Sequence, residues 1–195
     1  RGGIVRHGLG YDLADVGVVL NVRNDHLGQD GLEYLEDLAF AKALVVEAIK
    51  HTGYAILNAD DTMLPYLTRG IGASLIYFAK SLDNPIVREH IAAGNIAVIQ
   101  EHEQLAIYWQ GCRVTLIRIA DIPITFGGKI ACNIENALAA TACLFALGIP
   151  DHIITQGLAS FTPDPEVNAG RFNLFDMGEY RVLLDYAHNL DGYLA

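Results

Sequence analysis

Asp25, His26 and Asp30 stand close together in the run Asn21-Val22-Arg23-Asn24-Asp25-His26-Leu27-Gly28-Gln29-Asp30-Gly31. Carboxylate oxygens and an imidazole are the donors that divalent cations take, and the two glycines give the backbone freedom to turn such groups inward. Asp60-Asp61 is a second acidic pair. It could hold a hydrated magnesium ion or a ribose, or cap a short helix over 62–68, the role Asp commonly fills. A third polar cluster, Asp185-Tyr186-Ala187-His188-Asn189, lies near the end of the chain. Lys42 has a different interest, because helical spacing puts it within the apolar stripe of Leu35, Leu38, Ala39, Val45, Val46 and Ile49. A buried ammonium is costly, so Lys42 either snorkels to the surface or has a specific task there.

Each cluster follows a stretch that reads as a strand. Residues 16–22 are apolar and β-branched, as in a strand buried on both faces, and a helix over 32–50 follows. Gly53 ends that helix, and a second buried strand, 54–58, runs straight into Asp60-Asp61. Ligands of open α/β sheets bind at the carboxyl ends of strands, where these side chains fall. A third strand covers 74–79. Three short strands at 95–99, 105–109 and 112–117, with a tight turn at Gln110-Gly111, form an antiparallel meander at the edge of the sheet.

Gly127-Gly128 leads into a helix over 133–147, stopped by Gly148 and Pro150. Asn133 is placed to cap it and Asn136 lies in its first turn. Capping alone would be worth about 1 kcal/mol, whereas a helix N-terminus behind glycines can also face a nucleotide. A helix over 151–159 precedes a linker at 161–168, with Pro163 and Pro165, and a strand at 181–185. Arg1 to Asp15 is Gly-rich and basic at its start, and reads as a loop or short helix.

The 195 residues are 52% hydrophobic and 18% charged, which suits a folded core and excludes disorder. A net charge of −10 and pI of about 5.0 disfavour nucleic-acid binding. No apolar run reaches membrane-span length; 137–149 is the longest and is too short. Cys112, Cys132 and Cys143 form no CxxC pair and fit reduced thiols in a cytoplasmic protein. With Arg1 first and no GxxxxGK[ST] phosphate loop, the chain reads as part of a longer protein, inactive by itself.

Three landmarks come in order: Asn21…Asp25-His26-Leu27-Gly28…Gly31 with Lys42; Gly127-Gly128…Asn133-Ile134…Asn136-Ala137-Leu138-Ala139-Ala140; and Gly170-Arg171-Phe172…Asp185-Tyr186-Ala187-His188-Asn189. Together they resemble the Mur ligase family of ATP-dependent amide-forming enzymes. The resemblance implies an α/β fold: a central ATPase domain (1–163) with a mostly parallel sheet, helices on both faces and a small antiparallel part. The start of a Rossmann-like C-terminal domain (164–195) would follow. Arg1-Gly2-Gly3-Ile4…Arg6…Gly8-Leu9-Gly10-Tyr11-Asp12, the 25–31 run, Asn168…Gly170 to Phe175, and Gly192-Tyr193 are most similar to one kind of member. Those members attach arginine to the side-chain carboxylates of poly-aspartate.

The resemblance also assigns roles. His26 would ligate a second magnesium ion, and Lys42 would match the lysine that many members carbamylate into a metal-binding anion. Asn133 and Asn136 would contact the adenine side of ATP, Arg171 its sugar-phosphate part, and Asp185 the ribose. His188 would lie near the phosphates and Asn189 near the nucleotide or incoming amino acid. ATP and magnesium would be the cofactors, arginine and a poly-aspartate polymer the partners, and a homo-oligomer the expected assembly. Two residues depart from the family pattern: Cys132 where histidine is common before the first helix asparagine, and Leu190 where proline follows His-Asn. The alternatives are a ligase of peptidoglycan synthesis, a folylpolyglutamate synthase, a nucleotide-binding module without catalysis, or a metal-dependent hydrolase built on Asp25, His26 and Asp60-Asp61.

Overall fold

The computed structural model describes residues 2–24, 27–187 and 192–193. Its centre is a six-stranded sheet in the order β1 (Ala14–Val19), β2 (Ile49–Asn58), β3 (Ser74–Ala79), β4 (Ala97–Glu101), β5 (Gln104–Trp109) and β6 (Cys112–Arg118). The first four strands are mutually parallel and the last two antiparallel, so the mixed sheet expected from the sequence is present. A short helix, α1 (Gly2–His7), precedes β1. Helices α2 (Leu35–Glu47), α3 (Leu64–Leu67) and α4 (Pro85–Ala92) fill the crossovers, and α5 (Ala131–Ala146) and α6 (Asp151–Ser160) follow the meander.

Strand alternation assigns these helices to two faces. Val19, Ala55, Leu57, Ala79 and Ile99 pack with Leu38, Ala43, Val46, Leu67 and Val87 of α2, α3 and α4. The intervening Ile56, Ile76, Phe78, Val98 and Ile107 pack with Leu138 and Ala142 of α5 and Ile154 of α6. Burial on both faces is why β2 and β3 read as continuous apolar runs.

Several boundaries differ from the sequence reading. The chain leaves α2 at Glu47 and enters β2 at Ile49, so Gly53 lies inside a strand rather than ending a helix. The register jumps between Ala14↔Ile49 and Val16↔Tyr54, and a Cβ on Gly53 would stand 2.3 Å from the Asp15 carbonyl oxygen. Glycine is there for close backbone approach. The strand at 16–22 is shifted to Ala14–Val19. Helix α4 was not anticipated, although its start has a recognisable signal: Asn84 Oδ1 accepts from Ile86 N (3.0 Å) and Val87 N (3.4 Å), and Pro85 opens the helix. The meander turns on His102-Glu103 and Gln110-Gly111, all four residues with positive φ, as two-residue hairpin loops require.

His90 of α4 sets its Nε2 3.1 Å from the Ile96 carbonyl oxygen and its ring 4.5 Å from that of Tyr77. Burial lowers its pKa, outweighing the hydrogen bonds to Ile96 and Leu75. The folded state therefore disfavours His90 protonation. Its contribution is complete above the unfolded pKa of about 6.5 and is lost as pH falls through the lower folded value. Acidification below about pH 6.5 should loosen the α4–β4 region, and His90→Gln should flatten that dependence. Hydrogen exchange of residues 85–101 at pH 7.5 and 5.5 measures both.

After the proline segment, β7 (Asn173–Asp176) and β8 (Arg181–Leu184) form a separate antiparallel ribbon. Among the described residues no helix is long and apolar enough to cross a membrane.

Candidate functional site

The carboxyl ends of β1, β2 and β3 are joined by side chains that seek backbone partners. Asn58, buried at the end of β2, donates Nδ2 to the Leu20 carbonyl oxygen (3.1 Å) and accepts the Asp60 N–H at Oδ1 (2.9 Å). Asp61 accepts Val22 N–H at Oδ2 (2.6 Å) and Met63 N–H at Oδ1 (2.8 Å). Asp60 accepts Lys80 N–H (2.8 Å) and the Asn84 amide (2.9 Å). All four carboxylate oxygens are thus engaged by the protein. The Asp60-Asp61 pair staples the ends of β1, β2 and β3 to the segments beyond them, which gives both carboxylates a structural task. Met63, not Asp61, stands at the N-cap of α3 and no side chain caps it; Asp61 instead holds the turn before the helix by receiving the Met63 N–H.

Lys42 is half-buried and points at this same edge, donating Nζ to the Asn21 carbonyl oxygen at 2.8 Å. It neither snorkels outward nor enters the stripe, which is completed by Ala43. The loop beyond Asn21 closes with Gly28 N–H on the Leu32 carbonyl (2.8 Å) and Leu32 N–H on the Gln29 carbonyl (3.0 Å). Gly28, Asp30 and Gly31 all have positive φ. Asp25 and His26 lie outside the described residues.

Opposite, α5 begins two residues earlier than its asparagines. Its N-cap is Ile130, without a side-chain acceptor, so Asn133 sits in the first turn and does not cap. Asn133 instead donates Nδ2 to the Ile124 carbonyl (2.7 Å) and accepts from Asn136 Nδ2 at 3.4 Å. The approach loop is fixed from beneath by buried Thr125, whose hydroxyl donates toward the Ile119 and Ile122 carbonyls and accepts Gly128 N–H at 3.0 Å. Thr125 and Ile130 have no sequence signature of this role; the reading centred on the glycines and asparagines. Lys80 at the end of β3 pairs with Glu135 of α5 at 2.7 Å, tying the helix start to the strand ends. Burial pushes the Cys132 thiol pKa up, and the charges of Glu135 and Asp185 add to this. A protonated, neutral thiol therefore sits at the start of α5.

The third landmark folds against this helix start. Phe126 and Phe172 bring their ring centroids to 6.4 Å. Asp185 Oδ2 accepts Phe172 N–H (3.1 Å), Tyr186 N–H donates to the Gly170 carbonyl (2.9 Å), and the Arg171 guanidinium lies 5.5 Å from the Tyr186 ring centroid. A cavity of about 350 Å³ opens between the two parts, lined by Phe126, Lys129, Ile130, Phe172, Leu174 and Arg181, among others. Its size suits a small molecule. His188 and Asn189 lie outside the described residues.

Asn173 was not selected as a site residue from the sequence, yet it organises this turn. It is fully buried, with Oδ1 accepting Gly170 N–H (2.6 Å) and Nδ2 directed to the carbonyls of Pro163 and Asn168 (3.0 Å each) and Arg171 (3.3 Å). A polar amide at the first position of a strand, beside a Gly-Arg turn, was the available signal. Asn173→Ala should cost about 1–3 kcal/mol by leaving buried backbone groups unpaired. It should also weaken ATP binding, and ATP titration of the variant parent protein checks this.

Among the described residues no three metal-donor side chains converge. The landmarks nevertheless occupy the two sides of one sheet edge, in the chain order of the resemblance. Residues 8–144 match the family model for the Mur ligase middle domain. The chain belongs to the Mur ligase family. Over its whole length it is 40% identical to the cyanophycin synthetases of Geminocystis herdmanii and Synechocystis sp., covering 22% of each. The identity is 29% over 192 residues with the UDP-N-acetylmuramoyl-L-alanyl-D-glutamate–2,6-diaminopimelate ligase of Bacillus licheniformis, covering 35% of it. Among solved structures, MurF from Acinetobacter baumannii superposes with a TM-score of 0.67 at 20% identity, over 93% of this chain and 36% of that one. The mixed α/β sheet is thus the Mur ligase fold. The chain spans about a fifth of the length of the cyanophycin synthetases it matches.

Proposed function

We propose that the parent protein is an ATP- and magnesium-dependent amide ligase that joins arginine to the aspartate side chains of a poly-aspartate chain, the activity that its resemblance to cyanophycin synthetase implies. The single observation that carries this is 40% identity to cyanophycin synthetases across the whole chain, against 29% to the peptidoglycan ligase. Residues 1–163 are then the later part of the central domain and 164–195 the opening of the C-terminal domain. A cytoplasmic homo-oligomer belongs to the same reading.

Asn133 and Asn136, at the start of α5, would meet the adenine side of ATP. Arg171 and Asp185 would approach from the Gly170 turn, with His188 and Asn189 just beyond in sequence. Their present geometry supports this: Asp185 is near enough to Cys132 to influence its thiol, so the two landmarks already face one helix start. The start of α5, whose N-cap Ile130 offers no side-chain acceptor, favours an anionic ligand.

Magnesium binds oxygen ligands, keeps several waters and needs only one or two protein groups. One feature of the β1 edge fits it, a buried Asp30 Oδ2 that among the described residues has no hydrogen-bond partner, and Lys42, held on Asn21, would fit once carbamylated. His26 and carbamylated Lys42 would hold the ion. Bound there, it would neutralise charge on the transferring phosphoryl group.

The aspartate side-chain carboxylate attacks the γ-phosphorus and ADP leaves, giving an acyl phosphate. The amine of arginine then attacks the acyl carbon, loses a proton, and expels phosphate as the amide forms. Closure of the C-terminal part over the nucleotide would exclude the water that hydrolyses such an intermediate.

The test is phosphate release and labelled-arginine incorporation by the parent protein with ATP, magnesium and a poly-aspartate primer. Lysine and a cell-wall peptide precursor serve as competitors. Arginine-dependent release is expected. Release only with the precursor would replace the substrate, and silence with every acceptor would favour a nucleotide-binding module without catalysis.

A further inference from the structure

Helix α1 ends at His7, and its Arg6 side chain reaches a residue 24 positions on. Arg6 Nε and Nη2 both converge on one oxygen of Asp30, Oδ1, at 2.9 and 2.6 Å. The pair is lopsided: the Arg6 side chain is 65% exposed and that of Asp30 only 12%. An ordinary surface ion pair contributes about 0–1 kcal/mol, and this one does not include the carboxylate's second oxygen. Asp30 Oδ2 is buried and, among the described residues, has no hydrogen-bond partner. Asp30 also has φ of 56°, a left-handed backbone that costs a non-glycine residue about 1 kcal/mol or more. Stability alone gives no reason for a strained backbone carrying a half-satisfied buried carboxylate.

The surroundings give one. Asp30 lies in the closed loop that Gly28 and Leu32 tie together, and Leu32 anchors that loop in the core. This loop continues the exit of β1, where Asn21 holds Lys42. Leu32 fixes the inner side of the loop, and the described contact from α1 that fixes its outer side is Arg6. Two donors from one planar guanidinium set direction as well as distance, which a lysine ammonium does not.

We propose that Arg6 is a positioning residue for the cation-binding edge: by holding Asp30 Oδ1 it sets the 27–32 loop against the Lys42 side of β1. Oδ2 is thereby left for the cation. The proposal rests on the ligase reading only for what the cation does in turnover. Metal binding tests it without turnover.

The parent protein and its Arg6→Ala, Arg6→Lys, Asp30→Ala and Arg6→Ala/Asp30→Ala variants are titrated with Mn²⁺, a spectroscopic substitute for magnesium, and binding is followed by water-proton relaxation. Outer-shell partners of metal sites typically contribute about 10–100-fold in affinity. Arg6→Ala should weaken one class of Mn²⁺ sites about tenfold, with Arg6→Lys in between. If the two residues act as one unit, the double variant should be no weaker than Asp30→Ala alone. Hydrogen exchange of residues 27–32 should quicken in Arg6→Ala while that of β2 and β3 stays unchanged, showing that the variant is folded. Unaltered Mn²⁺ binding in Arg6→Ala, or a double variant whose loss is the product of the single losses, would overturn the proposal. Normal Mn²⁺ behaviour in a parent protein that joins no arginine would instead sink the ligase reading and leave the Arg6 clasp standing.

Discussion

Replacing Lys42 with alanine in the parent protein should lower arginine incorporation by about 10²–10³-fold, the usual effect of removing one group that stabilises transition-state charge. The residue is half-buried, with Nζ 2.8 Å from the Asn21 carbonyl at the carboxyl edge of the sheet. Carbamylation would turn this cation into an anion that binds metal. Arginine in its place should not restore activity, because a guanidinium stays protonated and does not carry a carbamate. The fold should tolerate both changes, since Leu38, Ala39, Ala43 and Val46 make the buried face of α2. Steady-state kinetics with and without added bicarbonate, alongside hydrogen exchange of α2, read the two effects separately. Unchanged kinetics in Lys42→Ala would remove the residue from the reaction.

The second large effect is expected at Asp61. Asp61 is only 4% exposed, and its carboxylate accepts two backbone N–H groups, Val22 at 2.6 Å and Met63 at 2.8 Å. Hydrogen bonds to charged groups are worth about 1.5–3 kcal/mol each, and a buried donor left unpaired carries a further penalty. Asp61→Ala should therefore destabilise the β1 exit and the start of α3 by about 2–4 kcal/mol, with part of the loss offset because no charge is buried. Asp61→Asn keeps an acceptor for one N–H and should cost less. Exchange of the Val22 and Met63 amides in the parent protein measures both variants. Activity should fall in step, because Val22 leads directly into the Asp25-His26 segment.

These two residues show how much of the site was legible in the sequence. Lys42 stood out because a cation interrupted a helical apolar stripe, and that anomaly survives as a side chain aimed at the strand ends. Asp60 and Asp61 stood out equally, but two adjacent carboxylates look the same in sequence whether they hold a metal or staple a backbone. Only the positions of Val22, Met63, Lys80 and Asn84, up to 39 residues away, decide the matter. Asn133 illustrates the same difficulty at a helix start: capping residues are recognised by type, while the actual boundary was set by Thr125 gripping the preceding turn. The sheet was easier to read, since strands buried on both faces carry uninterrupted apolar runs, and its errors fall where local signals compete. Gly53 resembles a helix stop, yet it is a strand glycine required by the close approach of the Asp15 carbonyl. Asn173 has only a faint sequence signal, because its importance lies in four backbone partners brought together by the fold.

The acyl-phosphate route is tested most directly by isotope transfer. Poly-aspartate labelled with ¹⁸O in its side-chain carboxylates is given to the parent protein with ATP, magnesium and arginine, and the released phosphate is examined by mass spectrometry. One ¹⁸O should pass to phosphate for every arginine joined, because the attacking carboxylate oxygen leaves with the phosphoryl group. Arginine incorporation with unlabelled phosphate would contradict the mechanism.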